Sequence, residues 1–115
     1  MQSLIELRDR LRQFAADRDW NQFHSPKNIA MALSVEVSEL LEHFQWLTEE
    51  QSKNLDAETK AKVADEIADV QNYLVRLADK LDIDILTAAE IKFAKNEKKY
   101  PAELVKGSAK KYTDY

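Results

Sequence analysis

Two stretches of helical periodicity, in residues 30–47 and 63–81, constrain this chain more than any other feature. At 3.6 residues per turn each residue advances about 100° around a helix. On that wheel Ala30, Leu33, Val37, Leu40, Leu41, Phe44 and Leu47 fall in one apolar stripe, and Val63, Ile67, Val70, Leu74, Leu77 and Leu81 in another. Stripes of this period demand burial against another helix, and no segment shows the sustained period-2 alternation of a half-buried strand. With one glycine and two prolines to interrupt the pattern, the expected fold is all-α: a four-helix bundle with an irregular C-terminal tail.

Start and stop signals place the helices. The first opens at Ser3, with Glu6 three residues on as a capping box, and runs to about Asp17, burying Leu4, Leu7, Leu11 and Phe14. After the interruption "RDWNQFH", Ser25 and Pro26 start a second helix that is expected to reach about Leu47. The polar connection "TEEQSKNLD" is short enough to favour antiparallel neighbours and leads to a third helix, from about Ala57 to Leu81. Asp84 caps a fourth, ending near Tyr100 because Pro101 restricts the residue before it. No composition break divides the 115 residues, so residues 1–115 are expected to form a single domain.

Charge and cysteine usage exclude several function classes. The 17 basic and 21 acidic side chains leave a net charge of -4, which argues against a nucleic acid polymer or an anionic membrane as partner. The absence of cysteine excludes disulfides, thiolate nucleophiles and cysteine metal sites. No apolar run approaches the length of about 20 residues that spans a bilayer, and "MQSLIELRDR" is too charged for a signal peptide. A cytoplasmic protein is expected.

The chemistry lies in "SVEVSELLEHFQW". Glu36 and Glu39 share one flank of the second helix, whereas Glu42 projects elsewhere; in the third helix Glu66, Asp69 and Tyr73 share the same-handed flank. Antiparallel helices with facing stripes are related by an approximate two-fold axis, which carries like-handed flanks to the same side. The two acidic pairs can therefore converge. Gathered carboxylates repel one another and raise their own pKa values unless a cation compensates them, and an oxygen-only set suits hard Mg²⁺ or Mn²⁺. Acidic residues three apart also occur at Glu6/Asp9 and Asp79/Asp82, so spacing alone leaves a metal site and a solvated acidic face as competing readings.

The order "EVSE" then "EIAD" resembles the E-x-x-E…E-x-x-D signature of the all-α nucleoside triphosphate pyrophosphohydrolases, the MazG-like superfamily. "RDWNQFHSPKN", "ELLEHFQW", "EIADVQNYL" and the tail "KGSAKKYTDY" are similar to its dCTP pyrophosphatase branch. The resemblance implies magnesium-dependent hydrolysis of a nucleoside triphosphate to monophosphate and pyrophosphate. Glu36, Glu39, Glu66 and Asp69 would hold the metal, with Glu36 and Glu39 as catalytic carboxylates and Glu39 preferred as the base. It further implies a base pocket from the loop Trp20, Asn21, Gln22, Phe23 and His24, with Trp46 and Tyr73 supplied by the two metal-bearing helices. Lys92 and Asn96, four apart on the fourth helix, would meet the phosphates. A homotetramer, built as a dimer of dimers, is also implied. Leu11 departs from the histidine of animal members near the base, and His43, on the Glu36/Glu39 flank, is not generally a ligand in the family.

Two other classes compete. A di-iron carboxylate bundle requires Glu-x-x-His pairs, but Leu40 precedes His43 and Asn21 precedes His24 by three residues. A non-enzymatic helical interaction module would use Trp20, Phe23 and Trp46 as a partner patch beside solvated acidic flanks.

Overall fold

The computed structural model describes residues 1–109. They contain α1 (Leu4–Asp17), α2 (Pro26–Glu42), α3 (Glu49–Ser52), α4 (Ala57–Lys80), α5 (Ile85–Lys99) and α6 (Ala102–Val105), with a 3-10 turn at Asn21–Phe23. No strand occurs among the described residues, and the fold is all-α. The end of the tail motif, residues 110–115, lies outside them. No helix among them is long and apolar enough to cross a membrane.

Each long helix opens on a side-chain cap. Ser3 and Ser25 hydroxyls accept from the amides of Glu6 and Asn28 at 3.1 Å, and the carboxylates of Asp56 and Asp84 accept from Thr59 and Thr87 at 2.7 and 2.9 Å. Such caps contribute about 1 kcal/mol each. The expected box at Ser3 is one-sided, because Glu6 reaches past Ser3 to accept from the amide of Gln2. A reciprocal box stands instead at α3, in the stretch expected to be a plain polar connection: Thr48 Oγ1 accepts from the Gln51 amide and Gln51 Oε1 from the Thr48 amide.

The second helix is shorter than expected, ending at Glu42 rather than near Leu47. Beyond it the i→i−4 ladder gives way to tighter bonds, from Phe44 N to Leu41 O at 2.8 Å and from Leu47 N to Phe44 O at 2.9 Å. Trp46 therefore stands in a turn beyond α2, not on a metal-bearing helix.

The chain divides into two compact units, Met1–Asp82 and a second beginning at Ile83. In the first, α4 is the hub against which α2 and α1 both pack. α2 and α4 run antiparallel: His24, just before α2, meets Arg76 near the end of α4, and His43, just after α2, meets Glu66 earlier in α4. The core is thin, with Ala15, Ile29, Val63, Val75 and Ala78 as its buried apolar residues. Ile29 is the largest of these to be fully enclosed, worth about 2 kcal/mol by its burial.

The expected apolar stripes are rotated. The sheltered side of α2 carries Ile29, Leu33, Glu36 and Leu40, and leads to His43 at its C-cap, while Val37 and Leu41 are 47% and 57% exposed. On α4, Ile67 and Leu74 are exposed as well. These helices carry more apolar surface than their neighbours within the chain cover, so periodicity does not reveal which sector is occupied.

In the second unit Lys98 and Lys99 sit in the last turn of α5, where cations complement the negative helix end. Pro101 starts the one-turn α6, and the chain's single glycine, Gly107, takes the left-handed conformation at φ 79°.

Candidate active site

Acidic residues of α2 and α4 are brought together where the two helices pack. Glu36 and Glu39, three apart on α2, and Glu66 of α4 each offer a carboxylate oxygen, and the three atoms lie within 4.8 Å of one another. Glu36 Oε2 and Glu66 Oε2 are buried and accept no hydrogen bond among the described residues. A buried acceptor without a donor costs on the order of 1–3 kcal/mol. Withdrawal from water, followed by the hydrogen bond and charge of Glu39 and the charges of Asp69 and Glu66, pushes the Glu36 carboxyl up to about 7. Burial and the same acidic neighbours also raise Glu66, with His43 opposing them.

This donor set fits a hard divalent cation. It is all oxygen, it is crowded with like charge, and two of its buried oxygens await a partner. Asp69 is exposed and outside the tight group, yet its charge acts on both Glu36 and Glu66. His43 lies nearer than expected: its Nε2 is 3.9 Å from Glu66 Oε1. Its place on the Glu36/Glu39 flank is the signal that sequence reasoning set aside.

Beside this cluster a cleft of about 1000 Å³ opens between α1 and α4, with Leu11, Trp20, His24, Asp69, Tyr73 and Arg76 in its wall. Asp69 thus belongs both to the cleft and to the electrostatics of the acidic group. Trp20 is aimed into place by the way α1 ends. Asp19 adopts φ 52°, its amide bonds Ala16 O at 3.1 Å and the Trp20 amide bonds Ala15 O at 2.9 Å. This is a Schellman cap, which sets the residue after the left-handed one back against the last turn. The Trp20 ring accordingly meets Phe14 edge-on with centroids 5.7 Å apart. The His24 ring lies with its centroid 6.3 Å from that of Trp20, also edge-on.

Arg76 is the residue that sequence reasoning missed. It is only 6% exposed; Nε donates to His24 Nδ1 at 3.3 Å, Nη2 donates to Asn21 Oδ1 at 2.5 Å, and Nη1 lies 3.7 Å from Asp79 Oδ2. Asp79 also receives a bidentate pair of hydrogen bonds from Arg12 of α1. That hydrogen bonding holds the Asp79 carboxyl below its usual range, with the charges of Arg12 and Arg76 assisting. The available signal was a charged residue three positions after Tyr73, an arginine that reads as surface by type.

Asn21 is turned to Arg76, and Gln22 donates to the backbone and carboxylate of Asp19. Phe23 is exposed, and its carbonyl accepts from Asn28 Nδ2 at 3.0 Å. Trp46 is 86% exposed. Lys92 and Asn96 are both exposed on α5, in the second unit.

Residues 31–115 match the MazG-like family. The chain is 40% identical to dCTP pyrophosphatase 1 of Homo sapiens and 42% identical to that of Mus musculus, in each case with 97% of this chain and 67% of the relative covered. A pyrophosphatase from Archaeoglobus fulgidus, known from its crystal structure, shares 44% identity and a TM-score of 0.79 over 84% of this chain and 90% of its own. With its E-x-x-E and E-x-x-D carboxylates on two antiparallel helices, the chain belongs to the MazG-like family.

Proposed function

We propose that this chain hydrolyses deoxynucleoside triphosphates to the monophosphate and pyrophosphate, preferring dCTP or modified deoxycytidine triphosphates, and so clears unwanted nucleotides from the pool. The carrying observation is the glutamate trio with two orphaned buried oxygens, in a chain about 40% identical to dCTP pyrophosphatases.

Glu36, Glu39 and Glu66 would hold magnesium, or manganese in its place, with Asp69 completing the acidic set. When bound, the ion supplies charge neutralisation for the triphosphate and an acidified water. Glu39, whose carboxylate lies with those of Glu36 and Glu66, is the carboxylate assigned to take a proton from the attacking water. Attack at the α-phosphorus forms the new P–O bond as the bond to pyrophosphate breaks. Trp20 and Tyr73 offer aromatic faces for a base in the cleft. Assignment of Lys92 and Asn96 to phosphate, and of Trp46 to the base, rests on the family motifs. The exposed Val37, Leu41, Ile67 and Leu74 support self-association; the homotetramer arranged as a dimer of dimers rests on the family resemblance and is to be checked by light scattering. We place the protein in the cytoplasm, with no nucleic acid polymer or membrane as partner.

The test incubates each nucleotide with Mg²⁺ and separates the products. Monophosphate plus pyrophosphate is expected, whereas diphosphate plus phosphate contradicts the chemistry. Glu36→Gln and Asp69→Asn should each lower turnover by more than about 100-fold, beyond what outer-shell partners of a metal cost, with helicity by circular dichroism unchanged. Full activity in both variants sinks the metal assignment. Absence of turnover in clean protein leaves the helical interaction module.

A further inference from the structure

The loop between α1 and α2 carries one imidazole whose two nitrogens are treated differently by the fold. We propose that Arg76 holds His24 in the tautomer protonated on Nε2, making that N–H the donor that reads an acceptor atom on the edge of a bound base. This rests on the reading of the cleft as a nucleobase pocket.

A guanidinium can only donate. Arg76 Nε is directed to His24 Nδ1 at 3.3 Å, so Nδ1 must be the nitrogen with the free lone pair. Burial, together with the charges of Arg76 and Lys80, lowers the His24 pKa, and the ring is neutral at pH 7 with a single proton. That proton lies on Nε2, which has no hydrogen-bond partner among the described residues. Because His24 also forms part of the cleft wall beside Trp20, the nitrogen across the ring from Arg76 is the one left for a ligand.

The arginine cannot easily let go. It is buried, and its other two nitrogens are engaged by Asn21 and Asp79, so the orientation of the imidazole is set by a group itself anchored to α1 through Asp79 and Arg12. An unrestrained neutral histidine can present either a donor or an acceptor to a base; a restrained one presents a donor alone. Cytosine offers a ring-nitrogen acceptor and a carbonyl acceptor on its pairing edge, whereas thymine offers an N–H in place of that ring nitrogen. Asn21 and Gln22 hold other partners, leaving His24 as the polar reader contributed by this loop. Arg76 is then a positioning residue, acting through His24.

The experiment is a long-range ¹H–¹⁵N correlation spectrum of the protein at pH 7.5, in which His24→Leu assigns the signals, since His24 and His43 are the two histidines of the chain. Nδ1 of His24 should resonate as a bare ring nitrogen and Nε2 as a protonated one. A protonated Nδ1, or averaging between the tautomers, overturns the proposal without touching the reaction chemistry. Steady-state kinetics supply the second arm, with dCTP and an abasic deoxyribose triphosphate as probes. His24→Leu should raise KM for dCTP about tenfold, the scale of one hydrogen bond, with kcat within about twofold and no change for the abasic probe. His24→Gln, which returns a donor amide near the Nε2 position, should recover most of the loss. A KM increase common to both probes, or no recovery by glutamine, overturns the role in base reading. Arg76→Met should let His24 populate both tautomers and mimic the His24→Leu increase in KM. Unchanged tautomers in that variant overturn the role of Arg76. Failure of the protein to turn over any nucleotide instead contradicts the pyrophosphohydrolase reading.

Discussion

Midway along α4, Glu66 meets Glu36 and Glu39 with two buried oxygens unbonded, whereas near the end of the same helix Arg76 and Asp79 meet Arg12, Asn21 and His24 with each guanidinium nitrogen of Arg76 directed at a partner. Both regions shelter charge. One closes its own hydrogen bonds and carries charges of both signs; the other concentrates one sign and leaves acceptors open. Such a difference separates polar groups that hold a fold from polar groups that await something from outside it.

The most severe way to break that comparison is Asp79→Asn. Removing the counter-charge leaves Arg76 buried without compensation, and about 3–5 kcal/mol of stability should be lost, read as a lowered midpoint in urea at unchanged slope. A loss below about 1 kcal/mol, typical of surface pairs, would remove the contrast. Glu36→Gln, by relieving like-charge crowding, should leave the metal-free protein at least as stable as the parent at pH 8.

Acid sharpens the comparison because the two regions respond with opposite sign. Glu36 is raised from 4.5 to about 7, so its protonated form is favoured by folding. That stability is fully present below about pH 4.5, and is lost as pH rises through about 7. Asp79 is lowered, so its contribution is present above its ordinary value of 3.8 and lost as pH falls through the folded value. Metal-free protein should therefore reach its highest Tm between these ranges, near pH 4, and lose stability from there to pH 8, by an amount reduced by solvent screening at a partly exposed site. Magnesium at pH 8 should recover that loss in the parent but not in Glu36→Gln. Thermal melts across pH, with and without Mg²⁺, check both statements; a metal-free Tm that climbs steadily from pH 5 to 8 contradicts the first.

The smallest effect probes the cap that carries Trp20. Asp19 holds φ 52°, where glycine pays no steric penalty, although its carboxylate accepts from Gln22. Asp19→Gly should stabilise by about 0.5 kcal/mol, detectable as a small rise in urea midpoint. A destabilisation would show that the Gln22 contact outweighs backbone relief.

Much of this was legible in the sequence. Ser25-Pro26, Asp56 before Ala57 and Asp84 before Ile85 mark helix starts through side chains that cap them, and α4 and α5 end within a residue of expectation. The grouping of Glu36, Glu39 and Glu66 followed from helical phase and antiparallel pairing. What periodicity could not supply was the sector of α2 that faces α4, because Val37 and Leu41 are as apolar as Leu33 and Leu40 while only the latter pair is sheltered. Arg76 was illegible for the opposite reason: burial of an arginine depends on partners from α1 and the 3-10 turn, far away in sequence.

The Schellman cap of α1 has a consequence for how this cleft can diversify. Two backbone hydrogen bonds, from Asp19 and Trp20 to the last turn, set where residue 20 emerges, and neither depends on which side chain residue 20 carries. The wall of the cleft is thereby uncoupled from the scaffold. Substitutions at residue 20, or at Leu11 in the wall of the same cleft, would change the shape of the cleft while the helix end that presents Trp20 stays as it is.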